Sequence, residues 1–373
     1  MALTKYKLGP LIELQDVRNT EGKYTVDDVR GISTEKDFIE TKANLDGVSL
    51  DSYKIVKSNE FAYVADTSRR GDKIALALNT QGEILISSIY TVFRVKRTDL
   101  LLSDFLFIYF NRPEFDRYAR FNSWGSARET FNWEDMCDIE LELPSIEIQQ
   151  KYVNIYKAMV ENQKSYERGL DDLKLVCDAY IEDLRRKIPC EEIGPYIEGI
   201  NESNSNCRYS KVQGVEASGS FINTRANMVG IDISNYTVVH KGDIAYNPAR
   251  INIGSIAMYN DNEPCVVSPM YSVFRVLKPN KILPEYLMLW FRRGEFHRYT
   301  WFFSAGSVRD IFDLSLMKEV KIPLPNLNIQ HDIVNIYKVY LERKSINEKL
   351  KEQIKNICPI LIKGSIEEAK KEA

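Results

Sequence analysis

The chain repeats itself, and the repeat limits its fold more than any single motif. Val29-Arg30-Gly31-Ile32 resembles Val212-Gln213-Gly214-Val215, Phe38-Ile39 matches Phe221-Ile222, and Lys42-Ala43-Asn44 matches Arg225-Ala226-Asn227. Ala62-Tyr63 matches Ala245-Tyr246 at the same offset of 183 residues. Downstream the offset becomes 181: Tyr90–Val95 matches Tyr271–Val276, Glu114-Phe115 matches Glu295-Phe296, and Arg117-Tyr118 matches Arg298-Tyr299. Gly125-Ser126-Ala127-Arg128 matches Gly306-Ser307-Val308-Arg309, and Leu143-Pro144 matches Leu324-Pro325. Asn154-Ile155-Tyr156 matches Asn335-Ile336-Tyr337. Near the start of each copy, Gly9-Pro10 has its counterpart in Gly194-Pro195.

Each copy reads as a globular domain followed by a long helix. The expected divisions of the 373 residues are 1–143 and 189–324 for the domains, 144–188 for the first helix, and 325–373 for the second helix with a tail. The fold class is therefore α+β: two similar mixed α/β domains separated by two long helices. In the domains, Lys73–Leu78, Ile84–Ile89 and Tyr90–Val95 are strand-like, as are Ser255–Met258 and Tyr271–Val276. Apolar spacing predicts a helix over Asp104–Arg120 and its counterpart over Pro284–Tyr299, with Pro284 in the first turn.

The helical segments carry a seam. Tyr156, Met159, Gln163, Tyr166, Leu170, Leu173, Cys177, Tyr180 and Leu184 step by threes and fours. The second seam, Ile336, Tyr340, Arg343, Asn347, Leu350, Ile354, Ile357 and Leu361, is more polar. The economical reading is an antiparallel coiled coil between the two; the alternative is that each helix packs only on its own domain. Pro359 is expected to kink or end the second helix, and the charged tail Gly364–Ala373 to fray.

Composition narrows the function. There is no apolar run of about 18 residues and no signal-peptide pattern, so the expected location is the cytosol, with no membrane. The six cysteines are scattered without a CxxC pair and read as reduced thiols; the three histidines lack metal-ligand spacing. A net charge of −3 speaks against coating nucleic acid indiscriminately, but not against a site-specific reader with local basic clusters. No Walker phosphate loop and no Gly-x-Ser-x-Gly elbow is present. Tyr246-Asn247-Pro248-Ala249-Arg250 approaches the Asn/Asp-Pro-Pro-aromatic loop of adenine methyltransferases, but Ala249 and Arg250 replace its last two positions. The first copy has Tyr63-Val64-Ala65 there, and no Gly-rich turn for S-adenosylmethionine follows a strand. What remains is binding. Two domains on helices of about 40 residues, roughly 60 Å, suit a bipartite site on double-stranded DNA, at most about 18 base pairs across.

The duplicated order resembles the specificity (S) subunits of Type I restriction-modification systems. The resemblance lies in Leu143-Pro144-Ser145-Ile146-Glu147-Ile148-Gln149 and Leu324-Pro325-Asn326-Leu327-Asn328-Ile329-Gln330, and in the Gly-Ser-x-Arg segments at Gly125 and Gly306. It lies also in Gly242-Asp243-Ile244-Ala245-Tyr246 leading to Gly254-Ser255-Ile256-Ala257. The first copy departs from the pattern, with Ser58-Asn59-Glu60 in place of Lys241-Gly242-Asp243. The resemblance implies a non-catalytic subunit with two target-recognition domains, each reading half of a split DNA site. It implies helices that set the spacing and dock modification (methyltransferase) subunits, two being expected, and a restriction/translocase subunit. S-adenosylmethionine, ATP and Mg are then expected on those partners, and no cofactor on this chain. The competing readings are a recognition region related to fused restriction-methyltransferases and a duplicated protein-binding scaffold.

Positions shared by the copies suit phosphate contacts, and divergent ones suit base contacts. Gly125, Ser126 and Arg128, with Gly306, Ser307 and Arg309, form turns that offer N–H groups and a guanidinium to a phosphate; the arginines can instead cap or pair with a neighbouring helix. Lys42 and Arg225 are further phosphate candidates. Arg69, Arg70, Asn247, Arg250 and Asn252 lie in the divergent loop, where Arg reads guanine and Asn reads adenine, unless the loop is merely solvated. Tyr63 and Tyr246 are read as core residues, and Trp124 and Phe303 as packing beside the turns.

Overall fold

The computed structural model describes residues 4–68, 73–126, 128–304 and 311–372. In the first repeat the elements are β1 (Lys5–Lys7), β2 (Ile12–Gln15), β3 (Arg30–Ile32), β4 (Phe38–Glu40), β5 (Lys54–Val56), β6 (Glu60–Tyr63), β7 (Leu76–Leu78), β8 (Ile84–Ile86) and β9 (Thr91–Val95). They continue with α1 (Ser103–Phe110), α2 (Pro113–Phe121), α3 (Trp133–Cys137), β10 (Glu140–Glu142) and the long α4 (Ile146–Lys187). The second repeat has β11 (Cys190–Glu192), β12 (Ile197–Gly199), β13 (Gln213–Val215), β14 (Phe221–Asn223), β15 (Thr237–Val239), β16 (Ile244–Tyr246), β17 (Ile256–Met258), β18 (Cys265–Val267) and β19 (Ser272–Val276). It ends with α5 (Pro284–Phe291), α6 (Gly294–Phe303), α7 (Leu314–Lys318), β20 (Lys321–Pro323) and the long α8 (Leu327–Glu372).

Strand pairing is the same in both repeats. A four-stranded antiparallel sheet has the order β2-β9-β6-β7, and its duplicate β12-β19-β16-β17. Three two-stranded ladders accompany each sheet: β1-β10, β3-β4 and β5-β8, then β11-β20, β13-β14 and β15-β18. Strand alternation gives the main sheet two faces. Phe61, Tyr63, Leu76 and Phe93 join the larger core with α1 and α2. Ala62, Ala77 and Val92 face the smaller hairpins through Ile32, Val56 and Ile86.

The chain forms two compact units, residues 1–165 with 346–373, and residues 166–345. Each takes half of each long helix. In the first unit, Val153 of α4 and Cys358, Leu361 and Ile362 of α8 enter the core of the first domain. Lys151 meets Glu368 at 2.7 Å, while Gln163 donates to Asn347 at 2.9 Å, so the helices run antiparallel. In the second unit, Ile181 and Leu184 of α4 and Ile333 and Val334 of α8 enter the core. There Arg343 lies over the Tyr166 ring at 5.8 Å. The polar seam positions are thus matched to each other, which registers the pair. Helix pairing and packing on the domains, set against each other as alternatives in the sequence, both occur.

The Leu-Pro-x4-Gln motif explains how each long helix starts. Ser145 and Asn326 cap the first turns. Gln149, fully buried, accepts from the Leu102 N–H at 3.0 Å and donates to the Leu100 and Pro144 carbonyls at 2.8 and 2.9 Å. Gln330 repeats all three bonds with Leu283, Lys281 and Pro325. The motif is a clamp between domain and helix.

Several expectations are corrected. The helix expected over Asp104–Arg120 is two helices, because Pro113 has no N–H to continue α1 and begins α2 instead. The Asn111 side chain and the Arg112 Nε close the end of α1 on the Phe107 and Tyr109 carbonyls. The second repeat breaks at the same place without a proline, and α6 runs on to Phe303. The strands are shorter than predicted, since Ser87–Tyr90 is a turn closed by the Tyr90 N–H on the Ser87 carbonyl. Pro359 does not end α8, and the tail does not fray: Ser365 and Ala369 are buried, and Lys370 holds Glu142 at 2.8 Å. All six cysteines are unpaired; burial pushes the Cys358 thiol up to about 12. Among the described residues, no helix is long and apolar enough to cross a membrane.

Candidate nucleic-acid interface

Two segments separated in sequence meet at one end of the main sheet in the first unit. After β6, the Ala65 carbonyl accepts from the Phe131 N–H at 2.9 Å, and the Thr67 N–H donates to the Glu129 carbonyl at 2.9 Å. Trp124 and Thr130 exchange both backbone hydrogen bonds, at 3.2 and 3.0 Å, so Gly125, Ser126 and Arg128 lie within the tight hairpin that this pair closes. Gly125 has φ +143, and a Cβ there would sit 2.0 Å from the Arg128 carbonyl oxygen. No other residue fits the turn. Gly125, Ser126 and Arg128 are all exposed. Among the described residues Arg128 makes no ion pair, so its guanidinium is open to an external anion.

The second unit builds the same joint. Phe312 donates its N–H to the Pro248 carbonyl at 3.0 Å, as Phe131 does to Ala65. Between β16 and β17, the Arg250 N–H bonds the Asn247 carbonyl at 2.9 Å, and a short 3-10 turn follows over Ile251–Ile253. Ile251 is buried in the core, and Gly254, at φ +95, approaches Ala217 so closely that a Cβ would lie 2.6 Å from its carbonyl oxygen. Arg292 donates to the Gly254 carbonyl at 3.2 Å. The loop is thus pinned at both ends, with Arg250 exposed and unpaired among the described residues. Asn247 is half-buried and its side-chain oxygen accepts from the Ala249 N–H at 3.0 Å, leaving its amide group for outside contact; Asn252 is half-buried beside it. Arg69, Arg70, Gly306, Ser307 and Arg309 lie outside the described residues.

Lys42 and Arg225 are not gathered into this surface. Both are exposed, but they follow β4 and β14, at the opposite end of each hairpin from the turn that approaches α2 or α6. Arg225 faces Glu216 at 4.0 Å. Tyr63 and Tyr246 are fully buried core residues, and burial pushes both hydroxyls up.

The departure of the first repeat at Ser58-Asn59-Glu60 disappears in three dimensions. Asn59 adopts φ +65, the left-handed conformation of Gly242 at φ +92, which asparagine tolerates better than most residues. Glu60 and Asp243 are buried alike and accept from the N–H groups of Lys57 and His240, each at 2.8 Å.

Sequence reasoning missed the exposed aromatics. Trp124 is 63% exposed, and Phe303, which touches Tyr299 and Phe302, is only half covered. Phe303 packs as expected on its neighbours, but both side chains stay exposed, because α2 and α6 end there and their last turns project beyond the core. Phe121 and Phe302, at the 181-residue offset, are the most exposed at 76% and 79%, and Trp301 joins them. An aromatic recurring at the repeat offset at the end of a helix was the signal available.

Comparison with known proteins fits this geometry. Residues 202–356 match the family model described as the Type I restriction modification DNA specificity domain. A Type-I restriction-modification system S subunit from M. genitalium superposes with a TM-score of 0.59 at 11% identity, covering 98% of this chain and 96% of that one. An HsdS subunit from Thermoanaerobacter tengcongensis gives 0.39 at 14% identity, covering 98% and 96%. A chain from a structure titled for complex assembly and conformational transition of the type I R-M system gives 0.47 at 14%, covering 98% and 97%. No curated protein matches in sequence. The class defined by the fold is a duplicated α+β domain on paired long helices. Residues 202–356, within the second repeat, carry the match to the DNA specificity domain, and the whole chain shares the fold of the M. genitalium structure.

Proposed function

We propose that the chain recognises a bipartite double-stranded DNA site and serves as the scaffold of a Type I restriction-modification complex. The observation that carries this is the duplication: two domains with identical strand order, each presenting a pinned loop beside an α2- or α6-terminal segment, the second matching the DNA specificity domain. Arg128 and Arg250 are exposed and, among the described residues, without an ion-pair partner, as such a surface needs. The chain itself is non-catalytic and acts in the cytosol. S-adenosylmethionine is held by two modification subunits, and ATP and Mg by a restriction/translocase subunit. The test is a mobility-shift assay with the chain and its modification subunit on a pool of duplexes. Sequence-selective binding that needs the chain is expected; binding that does not discriminate between duplexes contradicts the proposal.

A further inference from the structure

The same arginine precedes α2 and α6, Arg112 and Arg293, and its surroundings differ between the repeats. In the second unit Arg293 has a side chain only 6% exposed, lies 5.0 Å over the Trp290 ring, and faces Glu182 at 3.4 Å, Glu295 at 3.5 Å and Asp178 at 3.9 Å. In the first unit Arg112 is half-buried, lies 3.7 Å over the Tyr109 ring, and gives its Nε to the Tyr109 carbonyl at 3.1 Å. Among the described residues it has no carboxylate partner.

The long helices explain the difference. Where α8 packs on the first domain it repeats α4 on the second: Cys358 stands for Cys177, Ile362 for Ile181 and Ser365 for Leu184, all buried. At that register the positions of Asp178 and Glu182 are held by Pro359 and Lys363. A cavity of 510 Å³ opens beside Arg112, walled by Tyr109, Phe115, Tyr118, Lys7 and Asp138. Its other charges are balanced: Lys7 pairs with Asp138 at 2.8 Å, Glu114 with Arg117 at 3.4 Å, and Glu140 with Lys5 at 3.9 Å. Arg112 is the cation left over, with its Nε committed to the Tyr109 carbonyl and no carboxylate on its guanidinium among the described residues.

We propose that this pocket takes a single carboxylate side chain from a protein partner, the modification subunit that assembles on the first repeat; this rests on the scaffold reading above. The second repeat shows the chemistry, since there the same arginine is answered by carboxylates. Aromatic walls suit the methylenes of a glutamate. With Glu114, Asp138 and Glu140 each paired, Arg112 leaves a single surplus positive charge in the lining, which matches one carboxylate rather than a polyanion.

The test uses the full chain co-expressed with its modification subunit, comparing wild type with Lys363→Glu and Arg112→Gln. Lys363 is 78% exposed, so its replacement leaves the fold intact while supplying the internal partner that the second repeat has. Both variants should bind one modification subunit about tenfold more weakly and leave the other unchanged, read as a shift from two bound copies to one by native mass spectrometry. Unchanged assembly in Lys363→Glu and Arg112→Gln overturns the proposal, as does a loss of DNA affinity with assembly intact. If wild-type complexes assemble but show no sequence-selective DNA binding, the DNA reading fails while the pocket is still judged by assembly.

Discussion

Among the described residues Arg250 and Arg128 are both exposed and unpaired, yet they stand on different supports. Arg250 begins a 3-10 turn in a loop that differs between the repeats, and Arg128 belongs to a glycine hairpin whose Gly-Ser-x-Arg sequence recurs at Gly306. Divergence suits base reading and recurrence suits phosphate. Arg250→Ala should therefore weaken the selected duplex far more than random duplex, by about 1–3 kcal/mol of discrimination. Arg128→Ala should weaken both alike and reduce the salt slope by about one. Binding isotherms at several salt concentrations separate the two; equal loss on both duplexes for Arg250→Ala makes it a phosphate contact. The sequence could nominate these arginines because their type and repeat position carry the argument. It could not show that Trp124 and Phe303 are exposed, since that depends on where α2 and α6 outrun the core.

At the scale of the element, the start of each long helix depends on one glutamine. Gln149→Ala removes three buried hydrogen bonds and leaves backbone groups of Leu100, Leu102 and Pro144 to find other partners. The expected cost is about 3 kcal/mol in chemical denaturation, and a loss below about 1 kcal/mol would show that the clamp is redundant. The motif was visible in the sequence; its role was not, because the bonds reach back nearly 50 residues. A second element contrasts the repeats. In the first, Lys36 at φ +66 pairs with Asp116 at 2.5 Å; in the second, Gly219 and His297 hold those places. Burial and then the nearby Arg292 charge keep His297 below its ordinary range, though its backbone contact with Phe291 opposes this. The unfolded imidazole takes up its proton near pH 6.5 and the folded one only at lower pH, so the unfolded state binds more protons between. Stability should fall as pH drops below about 6.5, and His297→Asn should flatten that dependence in thermal melts at pH 7.5 and 5.5. An unchanged slope would remove His297 as its source.

For the whole molecule, the repeat made the architecture legible before any coordinate: one unit written twice predicts one strand order formed twice, and both sheets comply. The paired helices were legible from the seam, including its weak points. Their register was not, because Gln163 finds Asn347 only once the antiparallel alignment is known. Single positions also misled where backbone geometry outweighs residue identity. Asn59 keeps the turn of Gly242, and Pro359 sits within a helix held in the core by buried Cys358, Leu361 and Ile362. The central claim is that two similar domains read two parts of one site. It is tested most directly by selecting duplexes from a random pool with the assembled chain and modification subunit, then sequencing those bound. Two short half-sites separated by a constant gap are expected; a single contiguous motif, or no enrichment at all, is incompatible with two reading domains.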